Sequence, residues 1–161
     1  MISLQYTAGF LDGEGSVGVS VSKSTAGYPV PSLRLTFSNM DKRPLEMIKH
    51  RWGGSLSGPN ENEVYALHVN GKVAYSLLKD VVPYCIVKKE LVTVAIAFHS
   101  VPFEGPDNNP LAYIHKCESA LRCMEETRKG YRATRSTKMM DKLKEAIAHV
   151  REQTGITATA N

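Results

Sequence analysis

The chain has 161 residues, 42% of them hydrophobic and 22% charged, enough apolar material to bury a core of ordinary globular size. It carries +4 at neutral pH, and no apolar run is long enough to span a bilayer, so a membrane role is set aside. The start, Met1-Ile2-Ser3-Leu4-Gln5, lacks a basic lead and a cleavage site. The three cysteines (Cys85, Cys117, Cys123) include no Cys-x-x-Cys pair, which argues against a disulfide framework and a zinc site. The expected setting is intracellular, cytoplasm or organelle, with reduced thiols.

In chain order, Ser3 is placed to cap a helix through Leu4, Ala8 and Leu11 that stops at Gly13 and Gly15. Gly9 and Gly13, four apart, lie on one face of it and permit close helix–helix approach. From Ser16 the period changes to two. Val17, Val19 and Val21 point one way, and Ser16, Gly18, Ser20 and Ser22 the other. A loop with Gly27, Pro29 and Pro31 leads to a second alternating strand, Leu33, Leu35 and Phe37 against Ser32, Arg34, Thr36 and Ser38. Asp41 is placed to cap a helix through Trp52, with Pro44 tolerated in its first turn. Gly53-Gly54 ends that helix. A short strand over 55–57 then turns at Gly58-Pro59-Asn60 onto a partner carrying Tyr65, Leu67 and Val69.

Helices are expected from Lys72 to about Val82 and from about Val87 to Ser100, separated by Pro83. The Pro- and Gly-rich stretch from Val101 to Pro110 reads as a linker. Two helical segments follow, about 111–128 and 138–153. The order predicts an α+β fold, αββαββα with a four-stranded antiparallel sheet and extra C-terminal helices. One sheet face must be covered by helices, and the other carries small polar residues and Arg34. A single domain over 1–161 is expected, with its core at about 3–100 and a basic helical extension at about 110–155.

The charge is uneven. Between Arg128 and Lys144 seven cations (Arg128, Lys129, Arg132, Arg135, Lys138, Lys142, Lys144) face one anion, Asp141, so this window is +6 and the rest of the chain −2. Such a segment is either a solvated helix face or the footprint of a phosphate backbone.

Thr7-Ala8-Gly9-Phe10-Leu11-Asp12-Gly13-Glu14-Gly15 resembles the LAGLIDADG signature of homing endonucleases, with Ala8, Gly9, Asp12 and Gly15 identical. The following Ser16 and the element order are also similar to that family. The resemblance covers roughly 3–100, and the basic C-terminal part more loosely. The signature occurs once, and the resemblance implies a homodimer of the single-motif type. Its two motif helices would pack side by side through a dimer interface of Ala8, Gly9 and Asp12, the last structural near the helix end. The catalytic, metal-binding acid is then Glu14, beside the Gly13 main chain. Read alone, Glu14 is a turn carboxylate between two helix-ending glycines. A carboxylate at a helix C-terminus faces the negative end of the macrodipole, and a divalent cation, Mg²⁺ by the family resemblance, removes that conflict.

The resemblance further implies an active-site lysine after the Pro-aromatic turn at Pro83-Tyr84. Lys88 is the analogue, and Lys89 the nearest other choice. Asp41 stands where some relatives carry a solvent-ordering polar residue, a role compatible with helix capping. Where relatives can have an arginine one turn further on, this chain has Leu45, so Lys42 or Arg43 would have to substitute. On the open face, Ser20, Ser22, Ser32, Arg34, Thr36, Ser38 and His68 are candidate DNA contacts. Arg34 is suited to guanine because its fork reaches O6 and N7 together. Arg132 and Arg135 suit phosphates.

The implied function is an intron-encoded, site-specific double-strand DNA endonuclease. It would act on a long, roughly palindromic target by metal-dependent phosphodiester hydrolysis, leaving 3′ overhangs. Its partners would be double-stranded DNA and a second copy, with no membrane and no small-molecule substrate. The alternative is a maturase or regulator of the same fold that binds DNA or RNA without cleavage.

Overall fold

The computed structural model describes residues 2–130 and 135–157. Helix α1 (Leu4–Glu14) begins where the Ser3 hydroxyl accepts the Tyr6 N–H at 3.1 Å. It buries Thr7, Ala8 and Leu11 and stops where the Gly15 N–H meets the Leu11 carbonyl and the backbone turns extended. Strand β1 (Gly15–Lys23) therefore starts without a loop. It pairs antiparallel with β2 (Pro29–Asn39), Gly15 opposite Phe37 and Lys23 opposite Pro29.

Asp41 accepts the Arg43 N–H at 2.9 Å and starts α2 (Lys42–Trp52). Strands β3 (Ser55–Ser57) and β4 (Tyr65–Asn70) complete a four-stranded antiparallel sheet in the order β1-β2-β4-β3. Helix α3 (Gly71–Val81) runs into a short 3-10 turn, Val82–Tyr84, and α4 spans Lys89–Ser100. Helices α5 (Pro110–Gly130) and α6 (Arg135–Thr154) pack on each other, and α5 lies along both α4 and β1. The α+β architecture expected from the periodicities is the one the chain adopts.

The period-two residues divide as their chemistry requires. Val17, Val19, Leu33, Leu35, Phe37, Leu67 and Val69 are buried on the inner face, which α1, α3, α4 and α5 cover. Removing one of these large side chains, Phe37 for instance, costs about 3–5 kcal/mol through lost burial and the cavity left behind.

Several boundaries differ from the expected ones: β2 already begins at Pro29, inside the expected loop, α6 begins at Arg135 rather than 138, and three further differences have tertiary reasons. Helix α4 starts at Lys89 rather than near Val87, because the N–H groups of Ile86, Val87 and Lys88 bond to the side chain of Asp12. The stretch before Pro110 is not a free linker. Phe103 packs on Tyr28 and Tyr113 at ring separations of 6.5 and 6.2 Å, and the Tyr113 hydroxyl donates to the Pro29 carbonyl at 3.0 Å. Asn109 then caps α5 by accepting the Ala112 N–H at 3.0 Å. Helix α5 is longer at both ends than the expected segment, since its packing on α4 and α6 stabilises turns that propensity alone leaves marginal.

Lys116 of α5 is buried and donates to the carbonyls of Phe98, His99 and Val101, closing the C-terminal end of α4. Cys85, Cys117 and Cys123 are buried free thiols. Among the described residues no helix is long and apolar enough to cross a membrane.

Candidate active site and nucleic-acid interface

The last turn of α1 builds the candidate active site. Glu14 ends the helix with its side chain exposed, and Gly13 beside it is exposed as well. Gly15 has no room for a side chain, since a Cβ there would sit 2.5 Å from Leu11 Cδ1 and 2.7 Å from the Leu11 carbonyl. The tight step from helix to strand thus holds Glu14 at the junction between α1 and the sheet.

Asp12 and Lys88 brace that junction. The Asp12 carboxylate accepts the N–H groups of Ile86 at 2.7 Å, Val87 at 3.2 Å and Lys88 at 2.9 Å. Burial pushes its pKa up, but the three N–H groups and the Lys88 charge outweigh this and hold the carboxyl below its ordinary range. The Lys88 ammonium donates to the Leu11 carbonyl at 2.9 Å and to the Asp12 carbonyl. It is buried, which lowers its pKa, while the charges of Asp12 and Glu14 oppose the shift. Lys88 is therefore a cation seated at the negative end of α1. Burial pushes the adjacent Cys85 thiol up to about 11, so it stays protonated.

Lys89 is exposed on the first turn of α4. A cleft of about 700 Å³ opens beside this brace, and Lys89, Glu90, Glu126 and Lys129 line it together with Asp12 and Lys88. Lys129, from the basic segment, is thereby brought next to the end of α1, where it pairs with Glu126 at 2.7 Å.

Asp41 sits at the start of α2 and is held by Arg43, whose N–H and guanidinium both bond to it. The guanidinium, followed by that N–H, lowers the Asp41 carboxyl to about 2. Leu45 is wholly buried, which accounts for the absence of a cation at that position. Lys42 pairs with Glu46 at 3.2 Å, so both cations of this turn are engaged with acids of their own helix end.

The open sheet face carries all seven described groove candidates. Ser20, Ser22, Ser32, Arg34, Thr36, Ser38 and His68 lie on the polar side of their strands and are at least partly accessible. The hydroxyls of Ser20 and Ser22 donate to the carbonyls of Ser32 and Val30, both at 3.4 Å. Thr36 stands opposite His68, and Arg34 opposite Asn70. Arg34 Nη2 and Thr36 Oγ1 each lie 3.2 Å from His68 Nδ1. Burial, then the Arg34 charge, lowers the His68 pKa, so the ring is neutral at neutral pH. The register also brings Ser16, Ser55 and Asn70 to this face. Asn70 escapes a reading of the sequence because, before Gly71, it looks like a strand breaker. Arg132 lies outside the described residues. Arg135 opens α6, and its side chain lies outside them too.

The motif helix separates its small residues. Ala8 is fully buried in the core of its own chain, so the structure turns this expected interface residue inward. Gly9 and Gly13 face outward, and a Cβ at either would meet nothing within 4 Å. Around them Tyr6, Tyr84, Ile86 and Val87 are exposed, Ile86 at 85%. Asp12 points at the turn before α4 rather than outward.

Comparisons with known proteins bear on the fold and the family. No curated protein matches the chain in sequence. Its fold is similar to that of the homing endonuclease I-CvuI, solved in complex with the I-CreI target, with a TM-score of 0.72 at 16% identity over 96% of both chains. The archaeal intron-encoded homing endonuclease I-Vdi141I, complexed with DNA, matches with a TM-score of 0.67 at 18% identity, over 89% of this chain and 95% of that one. The LAGLIDADG meganuclease I-AabMI, bound to uncleaved DNA, matches with a TM-score of 0.63 at 20% identity, with 98% of this chain covering 51% of the larger one. The family model of the LAGLIDADG endonucleases matches residues 7–94, from the start of the motif at Thr7 through the brace at Lys88 and into α4, and the chain belongs to that family.

Proposed function

We propose that the chain is a site-specific DNA endonuclease that works as a homodimer, each copy supplying half of the active site. The observation that carries this reading is the end of α1. An exposed carboxylate, Glu14, stands at a rigid helix-to-strand junction beside bare helix backbone at Gly9 and Gly13. Among the described residues no cluster of three or more His, Cys, Asp or Glu could hold a metal ion within one chain. Two copies packed through the Gly9–Gly13 face would bring a second Glu14 to the first, on a two-fold axis.

The donor set fits half of a site for a hard divalent cation such as Mg²⁺. Glu14 offers carboxylate oxygens, and Gly13 an exposed main chain. The carbonyls of Leu11 and Asp12 are already taken by Lys88. The chemistry a bound divalent cation supplies is activation of a water and stabilisation of the leaving oxygen in phosphodiester hydrolysis. The chain's own residues do the rest. Gly15 and the Asp12–Lys88 brace hold Glu14 in place. The buried Lys88 cation offsets negative charge that gathers at the helix end. Asp41, fixed by Arg43, presents an ionised carboxylate at the start of α2 that is suited to ordering solvent. The polar face of the sheet would lie in the major groove, which admits a β-ribbon and shows a distinct donor and acceptor pattern for each base pair. Cleavage of both strands would leave 3′ overhangs, as the family resemblance implies.

The test is selection of cleaved duplexes from a randomised DNA library with Mg²⁺, repeated with Glu14→Gln. The wild type is expected to yield a roughly palindromic target. The variant is expected to bind that target in Ca²⁺ and leave it uncut in Mg²⁺. Full cleavage by Glu14→Gln would remove Glu14 from the mechanism. Binding without cleavage by the wild type would favour a maturase or regulator.

A further inference from the structure

The open sheet face holds one place where two polar side chains are coupled rather than merely adjacent. Arg34 and His68 are diagonal neighbours across β2 and β4, because Thr36 is the residue opposite His68 and Arg34 lies two positions before it. Arg34 Nη2 reaches His68 Nδ1 at 3.2 Å. A guanidinium only donates, so Nδ1 must carry the lone pair, and the ring proton is fixed on Nε2. The Thr36 hydroxyl, 3.2 Å from the same nitrogen, is a second donor sharing that lone pair. His68 Nε2 bonds to no described residue and is not among the buried unpartnered atoms, so it faces solvent as a free donor. Gly18, opposite Arg34 on β1, has open space where a side chain would stand, so nothing on that strand covers the guanidinium.

We propose that His68 is a positioning residue for Arg34, and that the pair reads two adjacent bases, Arg34 a guanine and the His68 Nε2–H an acceptor (purine N7 or thymine O4) on the base beside it. This deepens the reading of the chain as a DNA endonuclease and rests on it. The physical ground is that a free arginine explores many rotamers, whereas one hydrogen-bonded at Nη2 presents its remaining donors in a fixed direction. Both groups offer only donors at this point. Guanine, with N7 and O6 side by side, is the base whose major-groove edge offers two acceptors to a fork of donors, while a single donor is met by the N7 of either purine or by thymine O4. A cytosine or an adenine N6 amine opposite Arg34 would meet donor with donor.

The test is a binding selection on randomised duplexes in Ca²⁺, run on the wild type and on Arg34→Ala, His68→Leu and His68→Asn. Arg34→Ala identifies the guanine it reads by losing preference there. His68→Leu is expected to weaken preference at that same guanine and at the neighbouring base, by between about 5- and 150-fold. His68→Asn keeps an acceptor near the Nδ1 position and is expected to restore the guanine preference but not that of the neighbour. A separate readout uses the wild type alone. The charged group facing His68 is Arg34, and its other neighbours, Thr36 on β2 and Ser55 on β3, are neutral. Lowering the pH through the His68 transition, which burial and the Arg34 charge place below the ordinary imidazole value, protonates Nδ1 and removes the acceptor, so guanine preference should fall relative to pH 8 while affinity for random duplex does not.

An unchanged guanine preference in His68→Leu, or equal behaviour of the Leu and Asn variants, overturns the proposal while leaving the endonuclease reading intact. Failure of the wild type to retain any duplex overturns both.

Discussion

The carboxylate of Asp12 accepts the main-chain N–H of Lys88 at 2.9 Å, and the ammonium of Lys88 donates back to the main-chain carbonyl of Asp12. Each residue satisfies backbone groups at the other's helix end. Asp12 takes donors before α4, and Lys88 takes acceptors at the end of α1. The two helix ends are thereby tied together directly beneath Glu14.

This tie gives stability an acid-sensitive component. The folded Asp12 carboxyl lies below the ordinary aspartate value of 3.8. Above that value the carboxylate is ionised in both folded and unfolded chains, and its contribution is fully present. As the pH falls, the unfolded chain takes up the proton first, and the contribution is lost through the lower folded pKa. Urea denaturation of wild type and Asp12→Asn between pH 5 and 2 should show a shallower pH slope in the variant. Parallel slopes would refute the assignment. Asp12→Ala should cost about 1–3 kcal/mol at neutral pH, since it leaves three N–H groups without their acceptor.

Lys88→Met should lower stability by about 1–3 kcal/mol, because the Asp12 carbonyl loses its ammonium donor and the Leu11 carbonyl keeps only the Gly15 N–H. At a temperature where the variant is still folded, single-turnover cleavage should fall more than target affinity does. A variant with an unchanged denaturation midpoint would show that the helix end does not need the ammonium. Equal losses in cleavage and affinity would separate Lys88 from the chemistry.

Gly15→Ala should destabilise the folded chain by about 1–3 kcal/mol, because its Cβ would meet Leu11 Cδ1 at 2.5 Å. Differential scanning calorimetry measures this directly, and an unchanged midpoint would mean that the junction relaxes freely.

Gly9→Leu should behave oppositely. The position is open in the single chain, and leucine is the better helix former by roughly 0.5–1 kcal/mol. Helical content by circular dichroism should be kept while sedimentation shows monomers, since the added side chain blocks close approach of a second α1. A dimer that persists in Gly9→Leu would place the interface elsewhere on the surface.

The sequence by itself determined the elements whose signals are local. The alternation Val17-Val19-Val21 and Leu33-Leu35-Phe37 could satisfy an apolar inner face only as strands. Ser3 and Asp41 mark helix starts because their oxygens reach N–H groups two or three residues ahead. The motif that places Glu14 at a helix end is likewise contiguous. Tertiary structure decided what depends on partners far along the chain. Asp12 meets Ile86 and Lys88 across 74 and 76 residues, and nothing around Asp12 in sequence announces them. Ala8 and Gly9 are adjacent and equally small, yet one fills the core and the other faces outward, because successive helical residues point about 100° apart. Arg34 and His68 were each readable as polar residues on an open face. Their bond exists because the register sets Thr36 opposite His68, and register is settled only when the hydrophobic faces of β2 and β4 are buried together.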